Sequence, residues 1–87
     1  MRIGLLGFGT VGKGVYDIAA KHPELEVDQV LCRRELTLPD AQVTHDFNDI
    51  LNDDSIDTVV EVMGGHYPAW DYVKAAILAG KNVVTAN

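Results

Sequence analysis

The sequence contains few of the residues on which several classes of protein depend. Cys32 is the only cysteine, which excludes a disulfide within the chain and a cysteine-rich metal site, and it fits a reducing cytoplasm. The three histidines, His22, His45 and His66, are scattered without the spacing of metal ligands. No apolar run is long enough to span a bilayer, and no signal peptide follows Met1.

Positive charge is scarce as well. Seven Lys and Arg residues against 13 Asp and Glu residues give a formal net charge of -6, which argues against a nucleic-acid-binding protein and against attachment to an anionic membrane. A local anion site remains compatible with this charge, because backbone N–H groups and one or two arginines act at short range. No Ser/His/Asp or Cys/His grouping indicates nucleophilic catalysis. A chain of 87 residues has room for one domain at most.

Near its N-terminus the sequence contains Gly-x-Gly-x-x-Gly between a strand pattern and a helix pattern. The continuous apolar run predicts a covered parallel strand at Arg2–Leu6, and helical spacing of apolar residues predicts a helix over about 10–21. Gly7 would allow the tight turn out of the strand, Gly9 the close approach of a pyrophosphate, and Gly12 close packing of the helix on the sheet. This context predicts a dinucleotide-binding loop.

The first turn of that helix is the predicted anion site. The free N–H groups near Thr10, Val11 and Gly12 point at the phosphates, and the positive end of the helix dipole favours their charge. The alternative interpretation is a glycine-rich turn without a ligand.

Strand and helix patterns alternate along the rest of the chain. Further strands are predicted at 27–32, 43–44, 56–63 and Asn82–Thr85. This alternation predicts an α/β fold, a Rossmann-type doubly wound parallel sheet of order 3-2-1-4-5 with helices on both faces. Because the fifth strand comes at the end of the chain, we expect a fragment truncated after this strand rather than a complete small domain.

The apolar residues also predict which faces of the helices are buried. The stripe of the first helix is predicted to contain Val11, Val15, Ile18 and Ala19. A short second helix is predicted after the N-cap Asp46. The last helix is predicted to begin at Pro68 and to end before a C′ glycine at Gly80. Its buried face is predicted to contain Ala69, Val73, Ala76 and Ile77.

The end of the second strand is where such sheets select their cofactor. An acid about twenty residues after the last glycine would bind a ribose 2′-hydroxyl, but that count ends at Cys32. Arg33 and Arg34 follow, and their guanidinium groups can bind a 2′-phosphate bidentately, which favours NADP(H). The alternative is two arginines that face solvent. Glu35 could take the ribose hydroxyl, so NAD(H) remains possible.

Two further loops are predicted to meet the glycine turn at the carboxyl ends of the strands. One follows the fourth strand and turns at Gly64 and Gly65, and the other begins at Thr85. Gly64 and Thr85 are predicted to bind the cofactor. Glu61 is a charged residue in an apolar strand, and it is interpreted as a group that holds neighbouring loop amides or, alternatively, as a catalytic acid. His66 is interpreted as a surface loop residue beside this cleft.

The sequence resembles homoserine dehydrogenase along essentially the whole chain. The resemblance is carried by segments 59–65, 68–69 and 80–87, together with the glycine loop 4–12 and Arg33. The resemblance implies an NAD(P)-dependent enzyme that interconverts L-homoserine and L-aspartate 4-semialdehyde, on the pathway to threonine, methionine and isoleucine. It implies that Arg33 meets the 2′-phosphate and that Gly64 lines the nicotinamide side. It also implies cofactor contacts from Phe8, Thr10 and Val11.

Arg34 stands where the family often has an acidic or polar residue, so the partner of the phosphate stays open between the two arginines. The family's substrate-binding and dimerisation elements, with its catalytic lysine and acids, come later than Asn87. The resemblance therefore implies that residues 1–87 form an NAD(P)-binding domain without catalytic residues, whose full-length enzyme is a homo-oligomer. The alternatives are another NADP-dependent dehydrogenase or reductase, or a nucleotide-binding module without activity.

Overall fold

Five parallel strands form one sheet in the order β3-β2-β1-β4-β5, in a computed structural model that describes residues 1–64 and 68–86. This arrangement confirms the predicted Rossmann-type order. The elements are β1 (Arg2–Leu6), α1 (Thr10–Ala19), β2 (Glu26–Leu31), β3 (Gln42–Thr44), α2 (Phe47–Leu51), β4 (Thr58–Glu61), α3 (Ala69–Leu78) and β5 (Asn82–Thr85).

The central strand β1 is buried from Ile3 to Leu6, because it lies between β2 and β4 and is covered on both faces. One face of the sheet packs α1 against the apolar side chains of Leu5 and Val30. The other face packs α2 and α3 against Leu6 and Val59. The two layers of helices bury the strands from both sides, and the carboxyl ends of the strands are left to carry the loops.

Helix α1 buries only part of the predicted stripe: Ala19 is buried and Val15 packs against the core, as predicted. Val11 and Ile18 are both 58% exposed, whereas Gly12 and Ala19 are buried. The prediction for Val11 and Ile18 is therefore wrong. The physical reason at Val11 is that the helix begins directly against the glycine turn. Gly12 faces the backbone of the turn, and the bulkier Val11 is turned outward.

In α3 the buried residues are Ala69, Val73 and Ala76, as predicted, but Ile77 is 56% exposed. Its neighbours at positions 73 and 76 already fill the contact with the sheet, so Ile77 lies on the flank of the helix. Pro68 is the N-cap of this helix, and Gly80 follows its C-cap with a φ of +85°. The predicted glycine stop is confirmed, since that backbone region favours glycine.

Several element ends differ from the predicted ones. Helix α1 ends at Ala19 and not at about residue 21. Strand β4 covers only Thr58–Glu61, because Ile56 belongs to the preceding turn, where its N–H donates to the carbonyl of Asp53 at 3.1 Å. The predicted N-cap Asp46 is confirmed: its side chain accepts from the N–H of Asn48 at 2.9 Å.

In the part of the chain that the structure describes, no helix has the length and apolarity to cross a membrane.

Candidate functional site

The turn between β1 and α1 depends on two glycines. Gly7 has a φ of +103°, a region that L side chains rarely adopt, and its N–H donates to the carbonyl of Leu31 at 2.9 Å. A Cβ on Gly12 would overlap the carbonyl oxygen of Gly7. The turn and the start of α1 are therefore in backbone contact, and this contact fixes where the helix begins.

The N-terminal end of α1 is open. Gly9 is its N-cap, no side chain caps the helix, and its first turn contains no acidic residue. A Cβ built on Gly9 would meet nothing within 4 Å. The backbone N–H groups of the first turn thus remain available to an anion, and the helix dipole favours negative charge at this end.

A cleft of about 780 Å³ opens in front of this helix end, bordered by the ends of β1, β2 and β4. No Asp or Glu is among the described residues that line it, although the chain as a whole is acidic. Eight of the ten residues predicted to bind the cofactor line the cleft: Gly7, Phe8, Gly9, Thr10, Val11, Arg33, Arg34 and Gly64.

The two other predicted residues lie elsewhere. Gly12 is buried under the turn, where its role is the backbone contact with Gly7. Thr85 is absent from the described lining of the cleft, and its hydroxyl donates to Oε1 of Glu61. The interpretations that concern Gly65, His66 and Asn87 lie outside the described residues. Cofactor contact by each of the ten residues stays a prediction.

The two arginines at the end of β2 have different surroundings. Arg34 Nη2 donates to the carbonyl of Phe8 at 2.8 Å, and its guanidinium carbon lies 5.9 Å from the centre of the Phe8 ring. Arg34 thereby ties the loop after β2 to the glycine turn. Arg33 is exposed, lines the cleft and has no ion pair or hydrogen bond from its side chain to a described residue. Of the two, Arg33 has the guanidinium that is free to take a ligand.

His45 also lines the cleft, and sequence reasoning missed it. It follows β3 directly, so the rule that loops at the carboxyl ends of parallel strands form the ligand site would have indicated it. Its Nδ1 lies 2.7 Å from the carbonyl oxygen of Cys32, and its Nε2 lies 3.2 Å from Oε1 of Glu35. Glu35 itself is absent from the described lining.

Glu61 is only 1% exposed and is held by hydrogen bonds. Its Oε2 accepts from the N–H of Met63 at 2.7 Å, and its Oε1 accepts from the hydroxyl of Thr85. The carboxylate thus joins the loop after β4 to the end of β5, which confirms the predicted role of holding a neighbouring loop amide. It also positions Met63, which lines the cleft.

We expect Glu61→Ala to lower the free energy of unfolding by about 1–3 kcal/mol. The substitution removes the buried carboxylate that accepts hydrogen bonds from the N–H of Met63 and the hydroxyl of Thr85. Glu61→Gln keeps one acceptor oxygen and should cost less. Urea denaturation of the three proteins measures the difference. An alanine variant as stable as the wild type would show that the carboxylate does not hold these loops together.

Three carboxyl groups with shifted pKa values lie outside the cleft lining. Burial raises the pKa of Asp28, against the opposing effect of Arg2. Hydrogen bonds from Ser55 lower the pKa of Asp53, and a hydrogen bond from Thr58 lowers that of Asp57. Among the described residues, no group of three or more His, Cys, Asp or Glu side chains is placed to hold a metal ion.

Comparison with known proteins agrees with this geometry. Residues 7–87 match the family model described as the homoserine dehydrogenase NAD-binding domain. A homoserine dehydrogenase of Bacillus subtilis is 37% identical over 101 residues, which cover all of this chain and 23% of that protein. A crystal structure of homoserine dehydrogenase from S. aureus superimposes with a TM-score of 0.89 at 37% identity, over all of this chain and 26% of that one.

A more distant similarity is to a scyllo-inositol 2-dehydrogenase (NADP(+)) of Bacillus subtilis, 30% identical over 91 residues, or 97% of this chain and 25% of that protein. The chain spans about a quarter of the length of the relatives it matches. The family model covers residues 7–87, which include the glycine turn and every strand except β1. The chain therefore belongs to the homoserine dehydrogenase family, within which it corresponds to the domain that binds the nicotinamide dinucleotide.

Proposed function

We propose that this protein binds NADP(H) in preference to NAD(H) as the cofactor-binding part of a homoserine dehydrogenase. The observation that carries the cofactor proposal is the cleft itself, which combines an uncapped helix N-terminus with a free guanidinium at Arg33 and contains no described carboxylate. NADP(H) carries a pyrophosphate, which suits a helix N-terminus, and a 2′-phosphate, which suits a guanidinium.

Each part of the cleft has a role in this proposal. The N–H groups of Thr10, Val11 and Gly12 hold the pyrophosphate, and the absence of a side chain at Gly9 lets it approach the backbone. Arg33 binds the 2′-phosphate on the ribose of the adenosine. Gly64, with a φ of +76°, borders the nicotinamide side of the cleft.

The reaction we propose for the whole enzyme is the interconversion of L-homoserine and L-aspartate 4-semialdehyde, on the pathway to threonine, methionine and isoleucine. The cofactor supplies the chemistry of this reaction, a hydride transfer between the nicotinamide and C4 of the substrate. The residues described here bind and orient the cofactor. Residues 1–87 are proposed to be the cofactor-binding domain, and the substrate-binding and catalytic groups are proposed to belong to a separate region. We further propose a cytoplasmic homo-oligomer without a nucleic-acid or membrane partner.

The test compares the 87-residue chain with a longer polypeptide in which the same residues are followed by the substrate domain of the family. We expect both to bind NADPH in calorimetry, and only the longer one to form NADPH from NADP⁺ and L-homoserine. The physical reason is that positioning of the substrate over the nicotinamide supplies much of the rate. Turnover by the short chain near the rate of the long one would refute the assignment of catalysis to another region.

The alternative enzyme is another NADP-dependent dehydrogenase, and the similarity to the inositol dehydrogenase favours that possibility specifically. The same assay separates the two when scyllo-inositol is offered beside L-homoserine. Oxidation of scyllo-inositol without oxidation of homoserine would replace the proposed substrate but leave the proposed cofactor standing.

A further inference from the structure

The loop after β2 presents two cations and one acid in consecutive positions, Arg33, Arg34 and Glu35. In dinucleotide-binding sheets a carboxylate at this place binds the ribose hydroxyl of NAD, whereas an arginine accommodates the 2′-phosphate of NADP. A carboxylate that entered the cleft would also repel the phosphate. Cofactor preference therefore depends on which of these neighbouring side chains faces the cleft.

The structure separates the acid from the cations. Arg33 and Arg34 line the cleft, and Glu35 is absent from its described lining. The carboxylate of Glu35 is instead turned to His45, with Oε1 at 3.2 Å from Nε2. This is the single described contact of the Glu35 side chain, which is otherwise exposed to solvent.

The ring of His45 is anchored on its other side. Its Nδ1 lies 2.7 Å from the carbonyl oxygen of Cys32, at the end of β2. A carbonyl oxygen only accepts, so Nδ1 carries a proton, and this bond fixes the direction in which Nε2 points. The carboxylate of Glu35 is also an acceptor, and the protonated imidazolium makes both hydrogen bonds at once.

We propose that His45 sets the cofactor preference of this protein by holding the carboxylate of Glu35 outside the cleft, so that this loop presents only arginine side chains to the 2′-phosphate. The inference rests on the proposed preference for NADP(H) and adds the residue that maintains it. His45 is a positioning residue in this scheme, because it acts on the phosphate through Glu35.

The test is a double-mutant cycle on His45→Ala and Glu35→Gln. Calorimetry measures the dissociation constants of NADH and NADPH, and the readout is the ratio of the first to the second. We expect His45→Ala to lower the ratio by about two- to fivefold, the range of an exposed ion pair. In the double variant the ratio should return to the wild-type value, because glutamine carries no charge to repel the phosphate.

His22→Ala is the matched control. His22 is a similarly exposed histidine with Nδ1 3.7 Å from a carboxylate oxygen of Glu24, and it lines a groove on a different part of the surface. We expect this variant to keep the wild-type ratio, whereas a general loss of surface charge would change both histidine variants alike.

The outcomes separate the inference from the function on which it rests. A wild-type protein without any preference for NADPH would overturn the proposed cofactor. A preference that His45→Ala leaves unchanged would overturn the inference alone. A ratio that falls in His45→Ala and is not restored by Glu35→Gln would also overturn it, since His45 would then act on the cofactor without Glu35.

Discussion

Replacing Arg33 with alanine should weaken NADPH binding by about ten- to a hundredfold and leave NADH binding nearly unchanged. The side chain lines the cleft and has no described partner within the protein, so its hydrogen bonds are available to the 2′-phosphate. Charge-assisted hydrogen bonds contribute about 1.5–3 kcal/mol, and each 1.4 kcal/mol corresponds to about a factor of ten in affinity. Calorimetric titration of both cofactors measures the change.

Arg34→Ala is the comparison variant for this experiment. Because Arg34 donates to the carbonyl of Phe8 in the glycine turn, its loss should disturb the pyrophosphate loop and weaken NADPH and NADH to a similar extent. In the double alanine variant the NADPH preference should be lost. If the ratio of the two affinities stayed the same in that variant, neither arginine would bind the 2′-phosphate.

Replacing Gly9 with valine should abolish dinucleotide binding without unfolding the protein. The structure leaves open space around this position, since a Cβ there would meet nothing within 4 Å. The valine is therefore tolerated by the fold but stands where the pyrophosphate must approach the backbone. Circular dichroism should report a wild-type spectrum, and calorimetry should report no heat of NADPH binding.

Two other glycines serve as controls for the Gly9 variant. Gly14, in helix α1, also has open space around it, so Gly14→Ala should keep both the fold and the binding. Gly12→Ala should instead destabilise the protein, because its Cβ would overlap the carbonyl oxygen of Gly7. A folded Gly9→Val protein with full affinity for NADPH would mean that the pyrophosphate does not approach this turn.

The order of the strands followed from the sequence because it depends on local signals. The continuous apolar run of β1 indicated a strand covered on both faces, and the glycine spacing after it indicated the turn. Alternating strands and helices then leave few topologies, since crossovers between parallel strands are right-handed. The element ends were less well predicted, as at β4, because Ile56 is buried without being part of a strand.

The sequence by itself determined the sheet, the glycine turn and the kind of ligand that belongs there, because each is encoded by residues that are neighbours in the chain. Only the tertiary structure decided which side chains reach the cleft. The guanidinium of Arg34 donates to the carbonyl of Phe8, which lies 26 positions earlier in the chain. The carboxylate of Glu35 contacts His45, which lies ten positions later. Contacts of this kind arise when β2 pairs with β1 on one side and with β3 on the other, which brings loops distant in the chain to one edge of the sheet. No local pattern encodes them.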